Sequence, residues 1–390
     1  PIVAHEFGLA KAEGIAIEMV RDQSWATVRD RLIYGQTDAA HLLAPLAIAT
    51  AAGLDRPAVP LAAPFMLGLN GNAVTVTPDL AADLGDDAEI ADNAIADTGR
   101  KLAAIAQVRA AAGKRLRLAV VHRYSSHNYM LRYWLAASGC DPDRDVEIIV
   151  VPPPFVAEAL ESGEIDGSCV GEPWSSVAVE RGVGVIIAAT TRIWSRGVEK
   201  LLALRTSTLD ARRDAVAGLI RALHTAGKVV VDPQQRTEVA ALLARPEYIG
   251  QPPEIVARAL SNRLVLARGG APSPVEDFLV LHREAANFPW RSQAMWLFSQ
   301  MVRWGHAPYS QEGFDAAAAV FRLDVYRAAL VGTDAVLPGA SAKVEGGIEQ
   351  PTGAGSVSGR LILGPDRFFD GRRFDPDRAA AYLGLDDSTG

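Results

Sequence analysis

Four residues of different chemistry, Trp25, Asn72, His127 and Lys200, could together hold a small anion. Lys200 supplies a cation and Asn72 an amide donor. His127 supplies an imidazole that donates one or two hydrogen bonds, and Trp25 an indole N–H beside a flat apolar face. Each has an ordinary explanation when taken alone. Trp25 could be a packing residue, His127 a satisfied helix-start histidine, Lys200 a solvated charge and Asn72 a turn residue. Their placement gives the set its weight, because each falls at an expected strand or helix end. Ser24-Trp25 and Ser126-His127 read as helix starts, where unpaired N–H groups and the helix dipole favour a negative charge. Asn70-Gly71-Asn72 reads as a turn whose glycine lets backbone come close to a ligand. Glu172-Pro173-Trp174 reads as a further helix start with Pro at its first position.

Other chemistries find less support. No group of His, Cys, Asp and Glu has the spacing of a common metal site, and no nucleophile elbow or phosphate loop occurs. No catalytic residue, metal or cofactor is therefore assigned. Cys140 and Cys169 are expected to be free buried thiols, with Cys169 inside a buried strand. The formal charge of −7 over 390 residues speaks against a nucleic-acid partner. No stretch approaches the roughly 20 apolar residues that cross a bilayer.

The elements that must position these residues repeat. Gly35-Gln36-Thr37-Asp38-Ala39 is followed seven residues after its Asp by Pro45. Gly163-Glu164-Ile165-Asp166-Gly167 is followed at the same interval by Pro173. Upstream of each lies an apolar run, Ile15–Val20 and Val146–Val151, expected as a strand. Ala39–Ala44, Pro60–Leu67, Ala73–Thr77, Leu116–Val121 and Val183–Ala189 are further expected strands. The stretch Thr77 to Lys114 is expected to be partly helical. From about Thr206 onward the pattern is helical, and Pro338 to Gly359 reads as a mobile Gly/Ser-rich loop. Strands alternating with helices imply an α/β fold of two lobes, with mostly parallel sheets flanked by helices and a ligand cleft between the lobes. The expected division is residues 1–76 with 192–390 for one lobe and 77–191 for the other. Asn72 and Lys200 lie near the two crossings and outside the repeat.

Several segments resemble the nitrate- and bicarbonate-binding proteins of ABC transporters and the related cytosolic nitrate/nitrite sensor. They are Ser24–Asp30, Ala40–Pro45, Leu69–Ala73, Val170–Trp174, Val198–Lys200, Phe288–Ala294 and Phe368–Gly371, which together span nearly the whole chain. The resemblance implies a periplasmic-binding-protein fold. It also implies an anion held by a Trp, a Gln, a His and a Lys. Trp25, His127 and Lys200 match three of these positions, and Asn72 stands where the Gln would be, one methylene shorter. Ser24, Asn70, Gly71, Ser126, Glu172 and Pro173 would surround them. Nitrate or nitrite is preferred over bicarbonate because no acidic residue is expected in the pocket to accept from a ligand hydroxyl. The implied role is reversible binding rather than catalysis, with an ABC permease as partner on the periplasmic side of a membrane. A cytosolic sensor acting on a regulatory protein is the alternative, and a preceding export signal or lipobox would separate the two. Binding of an organic sulfonate, or thiamine-precursor chemistry, fits these segments less well.

Overall fold

The computed structural model describes residues 1–85 and 94–385. Part of the stretch expected to be helical, 86–93, lies outside them; on either side run helices Pro78–Leu84 and Ile95–Ala111.

Two sheets carry the fold. The first contains β1 (Ala39–Leu43), β2 (Leu61–Asn70), β8 (Val198–Arg205) and the short strand Leu279–Val280, in the order β1-β8-β2-short strand. The second contains β3 (Asn72–Val76), β4 (Leu116–Val120), β5 (Val146–Val150), β6 (Gly167–Gly171) and β7 (Val185–Ala189), in the order β5-β4-β6-β3-β7. The two-lobed α/β architecture is as expected, but the strand directions differ. Only β4 with β5 and β4 with β6 are parallel. β8 runs antiparallel to β1 and β2, and β3 antiparallel to β6 and β7. The cause is topological. A local strand ends at the cleft edge, whereas a strand arriving from the other lobe begins there and must run the opposite way.

The crossings are sharply defined. β2 ends and β3 begins around Gly71, at a φ of 90°, with Asn70 itself left-handed at 62°. β3 therefore lies in the second sheet, and the first crossing falls at Gly71 rather than near Thr77. The return runs through a buried turn at Thr190–Arg192 to the start of β8. Asn70 braces both crossings. Its amide donates to the carbonyls of Ser195 at 2.8 Å and Asp277 at 3.1 Å, and its Oδ1 accepts from Gly197 N–H at 3.0 Å.

The helices that follow the repeat strands explain its prolines. α1 (Trp25–Ile33) is capped by Ser24, whose hydroxyl accepts from Thr27 N–H. Gly35 turns the chain at φ 75° into β1, and α2 (Ala44–Ala51) begins with Pro45 in its first turn. In the second lobe α3 (Ser126–Ala137) is capped by the Ser125 hydroxyl on Asn128 N–H. Gly163 turns at φ 70° toward β6, and α4 (Trp174–Glu180) follows Pro173. α5 (Arg213–Val231) presents buried Val216, Ile220 and Leu223 on one face. α6 (Arg291–Arg303) is buried along most of its length between the lobes, against α2 and α3.

Two further expectations are corrected. Ile15–Val20 is extended but belongs to no sheet: β1, which it would neighbour, is an edge strand, and Met19 and Val20 are exposed. The segment expected as a mobile loop at 338–359 is anchored in its first half. Glu345 there is 0% exposed and pairs with Lys343, which also pairs with the buried Asp366. Ser292 donates to Glu345 at 2.6 Å, and the Trp194 indole donates to Asp366 at 2.7 Å. Backbone pairing of Glu345 with Phe374 and of Ile348 with Asp366 adds to this charged triad, and glycine-rich composition concealed both. The second half forms short strands Thr352–Ala354 and Ser356–Ser358.

Candidate functional site

A cleft of about 1410 Å³ opens between the sheets, lined by Trp25, Lys200 and Glu199 from the first lobe and Gly171, Glu172 and Pro173 from the second. Its floor is made where strands meet end to start. At the carboxyl end of β1, Leu43 pairs with Lys200 near the start of β8. At the carboxyl end of β6, Gly171 pairs with Asn72, the first residue of β3.

Lys200 is the centre of the group. Its Nζ lies 5.6 Å from the centroid of the Trp25 ring, within cation–π range. The same indole meets His41 edge-on, with centroids 6.0 Å apart. A methyl group on Gly171 would stand 3.1 Å from Asn72 Oδ1 and 3.5 Å from Lys200 Nζ. The amide and the ammonium thus converge on one small space that only glycine leaves open. Asn72 is 2% exposed, its Oδ1 has no partner, and its carbonyl accepts from the Thr190 hydroxyl at 3.1 Å.

Glu199 joins this group, which overturns the expectation of a pocket without an acidic residue. Its carboxylate is buried and pairs with Lys200, accepts from the Ser126 hydroxyl at 2.6 Å, and stands 3.5 Å from His127 Nδ1. Burial opposes its charge, but Lys200, His127 and Ser126 outweigh burial and hold the carboxyl below its ordinary range. Adjacent strand residues normally face opposite ways, yet the ends of both side chains meet here; the sequence offered Lys200 alone, as the cation.

His127 is 1% exposed at the start of α3. Burial lowers its pKa to about 4 despite the nearby Glu199, so the ring is neutral at pH 7. Lys200 faces Trp25 directly, meets Asn72 only across the space at Gly171 and reaches His127 only through Glu199, and neither Asn72 nor His127 lines the cleft. Of the surrounding set, Ser24 is occupied as a cap and Asn70 as a brace. Gly71 accepts from Glu172 N–H at 3.0 Å, and Ser126 is bonded to Glu199. Pro173 follows a cis peptide bond. Burial pushes Glu172 up to about 7, against hydrogen bonds from Ser176 and the charge of Arg258. Among the described residues no cluster of three His, Cys, Asp or Glu could hold a metal, and no helix is long and apolar enough to cross a membrane.

Residues 1–244, well over half of the chain, match the NMT1-like family. The chain belongs to the NMT1-like family. It is 29% identical to the nitrate/nitrite binding protein NrtA of Synechococcus elongatus, over 98% of this chain and 82% of that protein. It is 31% identical to the bicarbonate transport ATP-binding protein CmpC of Synechocystis, over 84% of this chain and 47% of CmpC. The chain thus spans about half the length of the ATP-binding relatives it matches. The crystal structure of the periplasmic nitrate-binding protein NrtA from Synechocystis superposes with a TM-score of 0.84 at 24% identity, covering 98% of this chain and 94% of that one. This NMT1-like chain accordingly has the fold of the periplasmic binding proteins.

Proposed function

We propose that the chain reversibly binds nitrate or nitrite as the substrate-binding component of an ABC-type nitrate importer. The observation that carries this reading is the Lys200 ammonium, which faces both the Trp25 ring and the small space at Gly171 that the Asn72 side chain also borders; turning that amide over would present its N–H donors there. Nitrate is planar and carries only acceptor oxygens. It asks for a flat wall, a cation and converging donors. A buried anion facing one cation is costly unless its other oxygens are hydrogen-bonded, and His127 with the helix start at Ser126 offers donors from the second lobe. The likeness to NrtA supports the same reading. Partner and location follow from it: an ABC permease on the periplasmic side of a membrane.

Binding rather than catalysis is supported by the state of the thiol near the site. Cys169 is 0% exposed within β6, and burial raises its thiol well above the ordinary range.

Bicarbonate is the second reading. Glu199 favours it, since a carboxylate can accept from the ligand's hydroxyl, and CmpC is a relative. Calorimetric titration with nitrate, nitrite, bicarbonate and taurine separates the alternatives. Binding of nitrate or nitrite is expected. Binding of bicarbonate alone transfers the assignment to the second reading, and binding of taurine alone overturns both. Lys200→Ala and His127→Ala should each weaken nitrate binding by about 1.5–3 kcal/mol, the usual worth of hydrogen bonds to charged groups.

A further inference from the structure

We propose that the pocket takes up its anion together with one proton, carried by His127, and that Glu199 is the positioning residue that makes this so. The inference rests on the nitrate reading above and goes beyond it.

Among the pocket's own groups the charges are already matched. Lys200 pairs with Glu199, and His127 is neutral. The donors are partly spent as well: the Ser126 hydroxyl and one N–H of Lys200 both serve Glu199. His127 is therefore the donor that decides how the second lobe greets a ligand. Its Nδ1 stands 3.5 Å from Glu199 Oε1, and both side chains are almost fully enclosed, at 1% and 4% exposure. A neutral imidazole has one N–H and one lone pair. Placing the proton on Nδ1 suits Glu199 but leaves a lone pair on Nε2, the nitrogen an anion would have to meet. Placing it on Nε2 suits an anion but sets the Nδ1 lone pair against a carboxylate. With an anion on one side and Glu199 on the other, each nitrogen faces negative oxygen, and the doubly protonated ring is the form that satisfies both. Nδ1 makes no hydrogen bond, and Glu199 Oε1 at 3.5 Å is the carboxylate oxygen it faces.

The sign follows from linkage. Burial holds the empty-site pKa near 4, and the anion raises it. Between those two values the liganded protein binds one proton more than the empty one, so affinity rises as pH falls, approaching tenfold per unit. The groups facing His127 or sharing its pocket are Glu199 and Lys200 of β8, His41 of β1, Cys169 of β6 and Glu172 beyond it. Glu172, pushed up to about 7, and His41, which lines the cleft and is held near 3, are the competing proton carriers, and the NMR reading of His127 separates them from it.

The test is calorimetry of nitrate into the full chain, in two buffers of different ionisation enthalpy and across pH 5.5 to 8.5, with the His127 ring followed by NMR. Expected are proton uptake that grows as pH falls, an affinity that falls as pH rises, and a His127 pKa that is higher with nitrate than without it. Glu199→Gln, which keeps shape and removes the charge, should bind with proton uptake near zero. A thermal melt checks that this variant folds, and the NMR reading on the unaltered chain decides independently. Nitrate binding with buffer-independent heat and a neutral His127 overturns the inference while leaving the nitrate reading intact. Proton uptake that survives Glu199→Gln but vanishes in Glu172→Gln also overturns it. Failure of nitrate and nitrite to bind at any pH overturns both.

Discussion

Replacing Lys343 tests whether the segment after Pro338 is anchored by charge. The ammonium of Lys343 lies between Glu345 and Asp366, which are 0% and 1% exposed. Ser292 and Trp194 satisfy one further oxygen on each carboxylate. Burial opposes both charges: Glu345 is pushed up, and Asp366 is held down by Lys343 and the Trp194 indole. Lys343→Ala leaves two enclosed carboxylates with no cation. Breaking a buried pair in this way costs about 3–5 kcal/mol. The sign with pH is definite. In the variant both folded carboxyls titrate above their unfolded values, so the folded state binds more protons and stability falls as pH rises. The penalty should shrink on acidification by up to about 1.4 kcal/mol per pH unit for each carboxyl taking up its proton. Urea denaturation followed by circular dichroism at pH 7.5 and 5.5 measures this. Lys343→Met, which keeps most of the volume, should lose nearly as much as Lys343→Ala. A penalty under about 1 kcal/mol at pH 7.5, below the buried-pair range, would refute the reasoning, as would one that acid leaves unchanged.

Gly171→Ala puts a methyl 3.1 Å from Asn72 Oδ1 and 3.5 Å from Lys200 Nζ. Anion affinity should drop because the methyl occupies the space beside Lys200 and Asn72, and denaturation should show a stability loss of up to about 1–3 kcal/mol, the usual cost of overpacking. Asn70→Ala removes the brace on Ser195, Asp277 and Gly197 and leaves a left-handed backbone at φ 62°. Denaturation should show a loss of about 3 kcal/mol or more, from stranded buried partners. His127, held near pKa 4, stays neutral when folded while the unfolded chain protonates below about 6.5. Stability should therefore decline as pH falls from about 6.5 toward 4, by up to about 3 kcal/mol. In His127→Gln, acid denaturation should lack this component.

The helix starts were legible because their signals are local. Ser24 before Trp25 and Ser125 before Ser126 are caps whose hydroxyl chemistry needs no tertiary context. The turns at Gly35 and Gly163 were legible for the same reason, since a positive φ is a demand on one residue. Glu199 was not legible. Strand alternation points it away from Lys200, and only the three-dimensional placement of Ser126 and His127 shows that its face is the lobe interface. Gly171 was quoted only as part of a matching stretch, because its value lies in Asn72 and Lys200, residues 99 and 29 positions away. The run Ile15–Val20 shows the opposite failure. Its composition is that of a strand, yet a strand exists only where a neighbour supplies a ladder, and it has none.

Asn72 and Lys200, read from the sequence as residues outside the repeat, take equivalent places in the two lobes. The repeat strands β1 and β6 run to the cleft edge, and each is paired there by a strand arriving from the opposite lobe. Lys200 on β8 meets the end of β1, and Asn72 on β3 meets the end of β6. The internal duplication therefore does specify both positions, through the neighbour each repeat strand acquires rather than through its own residues. Both also lie just past a crossing, Gly71 for Asn72 and the turn after Thr190 for Lys200. Residues so close to the pivots shift least when two lobes rotate about them. The proposed cation and amide would keep their relation in open and closed forms, while α1 and α3, which carry Trp25 and His127 from opposite lobes, would change theirs. On this geometry the first lobe would present the cation with the Trp25 wall already beside it, and closure would add the proton-bearing donor of the second lobe.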